Sequence, residues 1–61
     1  MTLVVQVNGR LRDRINVPAG INAEEAKTRA LDSQRVQSHI DGKTVRNVVY
    51  VPGRLVNVVV S

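Results

Sequence analysis

The chain has 61 residues, enough for one small domain, with nine basic and five acidic side chains and a formal charge of +4. It has no cysteine, so disulfides and thiolate metal sites are excluded. No apolar run approaches the ~20 residues that span a bilayer, and the opening MTLVVQVNGR lacks the features of a secretory signal. The basic balance favours polyanionic partners, nucleic acid before anionic membrane.

Valine occupies thirteen positions, and its β-branched side chain suits a pleated surface. Residues Leu3 to Val17 read as a hairpin around Asn8-Gly9, because Gly accepts positive φ and Asn tolerates it. A two-residue loop would put Val7 opposite Arg10 and Val5 opposite Arg12. A three-residue loop, Val7-Asn8-Gly9, puts Val5 opposite Leu11 and gathers Leu3, Val5, Leu11, Ile15 and Val17 on one face. Val4, Gln6, Arg10, Arg12, Arg14 and Asn16 then share the other. The three-residue loop separates apolar from basic better, so it is the predicted register, with Gly9 left-handed and a bulge beside it.

PAGIN (Pro18 to Asn22) connects to a helix over AEEAKTRAL. Asn22 is its N-cap, Glu25 completes a capping box and Glu24 adds first-turn charge. Ala23, Ala26 and Ala30 form a thin face that can lie close to a sheet. Asp32 restarts or caps a second short turn, SQRVQSHI, with Val36 and Ile40 on its apolar edge and Gly42 as its stop.

Thr44 to Val60 is a second hairpin around Pro52-Gly53. Pro presets φ and Gly takes the positive φ of a type II turn. A two-residue loop pairs Tyr50 with Leu55 and Val48 with Asn57. Val45, Val49, Val51, Val56, Val58 and Val60 then share one face. Arg46, Val48, Tyr50, Leu55, Asn57 and Val59 share the other.

The first and last strands are the most continuously apolar and belong in the middle of the sheet. The arginine-rich second strand suits an edge. The expected fold is α+β: a small β-grasp-like domain, ββ-α(α)-ββ, spanning residues 1–61. Its four-stranded mixed sheet has the order 2-1-4-3, with the helical segment across one face.

Enzymatic readings fail early. His39 is the only histidine, and the adjacent Ser38 points elsewhere on a helix, so no catalytic residue set can be assembled. No His/Cys/Asp/Glu cluster suggests a metal, and the single glycines form no phosphate-cradling loop. The polar sheet face remains. It is expected to hold Gln6, Arg10, Arg12, Arg14, Arg46, Tyr50 and Asn57, with Arg54 at the second turn and Lys43 before the third strand. Arginine and lysine neutralise phosphates. Gln and Asn offer hydrogen bonds to sugar or base edges. Val4, Val48, Tyr50, Leu55 and Val59 make an apolar platform on which a base can stack. A merely solvated strand face explains the same arginines equally well.

The motifs VVQVNGRLRDRINVP, AEEAKTRAL and DGKTVRNVVYVPGRLVNVVV resemble the extreme C-terminal domain of bacterial leucyl-tRNA synthetase, over nearly the whole chain and in the same order. The pairing of VQVNG plus a basic residue with VPG plus a basic residue and LVN is more specific than either alone. The resemblance implies a fragment of a much longer parent, with Met1 an added start or an internal boundary. It implies an auxiliary tRNA-binding domain that touches the elbow of leucine tRNA and supports aminoacylation and editing elsewhere in the parent. It also implies a monomeric cytoplasmic domain without cofactor, whose partners are leucine tRNA and the rest of the synthetase; ATP would be used by the parent.

The residues at matching basic positions are Arg10, Arg12, Arg14, Lys43, Arg46 and Arg54, of which positions 10, 14 and 54 resemble sites more often occupied by lysine. Asn47 stands where another basic residue is frequent and Asp13 where a small one is usual, which lowers the positive potential around both. Gly20-Ile21 and His39-Ile40 also depart from the pattern. The alternative reading is a β-grasp docking module that binds protein without RNA. A ubiquitin-like carrier is disfavoured because the last residues, VVVS, lack a Gly-Gly terminus.

Overall fold

The computed structural model describes residues 1–61. Along the chain come β1 (Thr2–Val7), β2 (Arg10–Asn16), α1 (Ala23–Leu31), α2 (Gln34–Ile40), β3 (Val45–Val51) and β4 (Leu55–Val60). The sheet order is β2-β1-β4-β3, as expected. The two valine-rich strands β1 and β4 run parallel at its centre, and both hairpins are antiparallel.

Period-two alternation in the central strands decides where the core lies. Leu3, Val5 and Val7 from β1 and Val56, Val58 and Val60 from β4 all point to one side and are buried. Val17, Ala26, Ala30 and Val36 close over them, and no polar or charged residue is buried as a whole. Each fully buried Val or Leu side chain contributes roughly 1.5–3 kcal/mol. Helix α1 crosses β3 and β4 while α2 crosses β1 and β2. Ala26 and Ala30 let α1 approach closely; Ala23, expected on the same face, is exposed.

The helix ends follow the sequence signals. Asn22 accepts from the Glu25 N–H through its side-chain oxygen at 2.8 Å. The second helix is N-capped by Ser33, whose oxygen accepts from the Val36 N–H at 3.4 Å. Asp32, expected to restart or cap the second turn, instead ends α1, its N–H reaching the Ala30 and Thr28 carbonyls. Gly42 follows α2 with φ of 76°, a left-handed stop open to glycine without strain.

Both hairpins depart from the expected registers. The first turn has two residues, not three. Asn8 and Gly9 have φ of 52° and 82°, and Val7 pairs with Arg10. Both positive φ values suit a type I′ turn, which matches strand twist. A bulge then inserts Arg12 between the pairs Gln6–Leu11 and Val5–Asp13. Beyond it, Leu3 faces Ile15 and Val4 faces Arg14, the faces expected from the pattern. The reversal of faces is therefore confined to Arg10 to Arg12, while every pair beyond the bulge lies two β2 residues further on than the expected register.

The second turn is longer than expected. The Arg54 N–H donates to the Val51 carbonyl at 3.0 Å around Pro52 and Gly53, and Gly53 has φ of 73°, consistent with a type II turn. Its twist does not match the strands, and pairing begins only at Val51–Leu55, leaving Arg54 in the loop. Tyr50 therefore faces Val56, Val49 faces Asn57, and all of β3 from Val48 to Val51 is turned over relative to expectation. Another bulge, at Arg46, lets Val45 pair with Val60.

Candidate nucleic-acid interface

The helices cover one face of the sheet and leave the other open. Strand pairing defines what that open face carries. Val4 and Gln6 lie beside Leu55 and Asn57 at its centre, flanked by Arg14 and Leu11 on β2 and by Val49 and Val51 on β3. Leu11, Val49 and Val51 are 50%, 42% and 37% exposed. For a small domain this is a substantial apolar surface, and such surfaces mark contact sites.

Several expected site residues move. Tyr50 and Val48 are not on the open face: they lie against the core on the helix side, because the longer second turn shifts their strand by one residue. Val49 and Val51 replace them. Arg10 and Arg12 also leave the open face. Arg10 shares its face with the buried Val7, and both arginines line a cleft with Asn8, His39 and Lys43 on the helix side. The two-residue turn causes this exchange and exposes Leu11, and the bulge at Arg12 ends it.

Other residues stay where the sequence placed them. Gln6, Arg14 and Asn57 are on the open face. Arg54 sits exposed at the β3–β4 turn, with its carbonyl accepting from the Val4 N–H at 3.2 Å. Arg46, by contrast, loses its expected place opposite Val59 to Asn47 and becomes the extra residue of the β3 bulge, where its Nε–H donates to Ser61 Oγ at 2.8 Å. Asn57 is already engaged: its Oδ1 accepts from the Gly9 N–H at 3.0 Å. Its carboxamide oxygen fastens the first turn, and its amino group is the donor left for a ligand.

Charge is sorted between the two sides. Glu24 and Glu25 lie in the first turn of α1, and Asp32 and Asp41 cap the C-terminal ends of the two helices. Asp13 shares the helix side with Val5 and accepts a hydrogen bond from the Ser33 hydroxyl. That bond, outweighing an opposing desolvation, lowers the Asp13 pKa, with help from the Arg14 N–H and the charge of Arg35. The open face thus has no carboxylate. The single salt bridge is Arg29–Glu25 on α1, so Arg14, Arg46 and Arg54 stand unpaired around an uncharged platform.

This arrangement can hold a flat, stacked surface against the valines and leucines. Arginines at its margin can reach surrounding phosphates. The sequence could not show that Val49 and Val51 face outward, because β3 carries valines on both faces. Nor did it assign His39 to the cleft; its place on the last turn of α2 was the available signal.

No family model matches the chain. The leucine–tRNA ligase of Dehalococcoides mccartyi is 58% identical over all 61 residues, and that of Rubrobacter xylanophilus is 57% identical over the same span. The chain spans 8% of the length of each. A crystal structure of the LeuRS–tRNA–LeuAMS ternary complex from Agrobacterium radiobacter has a matching segment, with a TM-score of 0.94 and 31% sequence identity. It covers the whole of this chain and 8% of that one.

Proposed function

We propose that this chain, which corresponds along its full length to one small segment of the leucine–tRNA ligases, is their C-terminal tRNA-binding domain. In this reading it contacts the elbow of leucine tRNA and so helps the parent enzyme aminoacylate and edit. The observation that supports it most directly is the close structural match to a synthetase solved with tRNA. The open face supplies the physical basis. Val4, Leu55, Val49 and Val51 form a platform for a stacked base pair; Arg14, Arg46 and Arg54 reach phosphates around it. Gln6 and the free amino group of Asn57 face sugar or base edges.

Leucine activation with ATP belongs to the rest of the parent in this reading, and the domain acts as a cytoplasmic monomer attached to it. Affinity for transcribed leucine tRNA, measured across a salt series, tests the reading. Replacing Arg14 or Arg54 with Ala lowers the slope of log affinity against log salt by about 1 each. Unchanged slopes in both variants count against the platform.

The exposed Leu11, Val49 and Val51 also favour a second reading, in which this face docks on the synthetase body. That contact would bury apolar surface and survive salt. Binding to the synthetase body that persists in high salt, with no binding to tRNA, would select it.

A further inference from the structure

The basic residues of β2 are split by a bulge, and the side facing the helices receives two of them. Arg10 and Arg12 converge with His39 at the end of α2 and Lys43 in the following loop, and Val7 and Asn8 complete the cleft. The side chains arrive from two separate stretches of the chain, residues 7–12 and 39–43. No carboxylate lines the cleft: Asp41, nearby in sequence, lies outside it, and Asp13 is engaged by Ser33.

Arg12 carries the most informative detail. Its Nε–H is buried and has no hydrogen-bond partner in the protein. A buried donor left alone costs free energy, and no other nitrogen of the Arg12 guanidinium is hydrogen-bonded within the protein either, so its terminal nitrogens are uncommitted. The bulge that re-aims Arg12 also interrupts the ladder between β1 and β2, as bulges near binding sites do. Asn8 has its Oδ1 occupied by the Val60 N–H at 2.9 Å, so its amino group is the part left to a ligand. The cleft therefore offers donors and positive charge without acceptors of matching charge, which suits one phosphate group.

We propose that the cleft of Arg10, Arg12, His39 and Lys43 binds one phosphodiester of the RNA backbone, as a second contact separate from the open sheet face. This rests on the reading of the chain as a tRNA-binding domain. The two surfaces then grip RNA in different ways. The platform meets a flat base surface, and the cleft meets a phosphate on the opposite side of β2. The bulge at Arg12 is the element that divides one arginine-rich strand between them.

Arg10 and Lys43 are exposed, so the double variant Arg10→Ala/Lys43→Ala leaves the core intact and tests the cleft. The 15N-labelled chain is titrated with inorganic phosphate, and leucine tRNA affinity is measured across a salt series for both forms. The proposal expects phosphate to shift amides from Asn8 to Arg12 and from His39 to Lys43 in the wild type only. It also expects the double variant to lower the tRNA salt slope by about 2. Wild-type tRNA binding with an unchanged slope in the double variant would overturn the cleft and leave the functional reading standing. Phosphate shifts with that same unchanged slope would assign the cleft to a free anion and overturn its RNA ligand. Absence of tRNA binding by the wild type at low salt would remove the functional reading and the cleft's RNA ligand together.

Discussion

The Ser33 hydroxyl donates to the Asp13 carboxylate while its oxygen accepts from the Val36 N–H. One side chain thus caps α2 and ties it to the edge strand β2. The Arg14 N–H adds a bond to the other Asp13 oxygen at 2.8 Å. Asp13, which the family resemblance marked only as a loss of positive charge, is a junction between the sheet and the helical layer.

Ser33→Ala removes the cap and the carboxylate's strongest partner together. Loss of an N-cap alone costs about 1 kcal/mol, and in a domain this small each kcal/mol lowers Tm by roughly 4–8 °C. Thermal unfolding at pH 7 should show a drop of that size.

The pH dependence has a definite sign. Asp13 has a folded pKa below its ordinary 3.8, so the unfolded chain binds the proton more readily. The stability contributed by the ionised carboxylate is complete above pH 3.8 and fades as pH falls through the folded value. The difference in stability between wild type and Ser33→Ala should therefore shrink below pH 3.8. Urea denaturation at pH 7 and at pH 2 measures it.

Tyr50 is a packing residue on the helix side. Because it is only half-buried, Tyr50→Ala should destabilise the domain by about 2 kcal/mol, below the range for a fully buried aromatic. Tyr50→Phe should bind leucine tRNA as tightly as wild type. A tenfold loss of affinity in Tyr50→Phe would assign the phenol a direct contact.

Asn57 closes the first turn from across the sheet through Gly9. Asn57→Ala should leave that N–H unpaired and accelerate its hydrogen exchange, at a cost of about 1 kcal/mol in stability. Exchange measured by NMR at the Gly9 amide reads this directly.

The sequence made the architecture legible where signals agreed. The Asn22 cap, the alanine face of α1, the Gly42 stop and the two apolar central strands all pointed to one answer, and the order β2-β1-β4-β3 followed. The registers were less legible because two rules competed at each turn. Asn8-Gly9 favours a two-residue loop, while the apolar pattern favours Leu11 opposite Val5. The chain satisfies the turn, inserts Arg12, and recovers the apolar pattern from Asp13 onward, at the expense of exposing Leu11. In β3, Val48, Val49 and Val51 are apolar on both faces, so no hydrophobic contrast could fix which of them points to the helices. Those two ambiguities account for the relocation of Arg10, Arg12 and Tyr50.

Val49 lies on the open face opposite Asn57 and is exposed. Val49→Asp should leave the fold intact and place a negative charge within an otherwise uncharged platform. Repulsion of about 1 kcal/mol or more at phosphate distances predicts a several-fold to tenfold loss of leucine tRNA affinity, larger at low salt. Val49→Thr, similar in shape and uncharged, should lose much less.

In the proposed function the open sheet face meets tRNA. An NMR titration of the 15N-labelled chain with transcribed leucine tRNA at two salt concentrations tests it most directly. Contact through the open face shifts Val4, Gln6, Arg14, Val49, Val51, Leu55 and Asn57, and the shifts weaken as salt rises. Shifts restricted to α1 and its flanks, or no shifts at low salt, would contradict it.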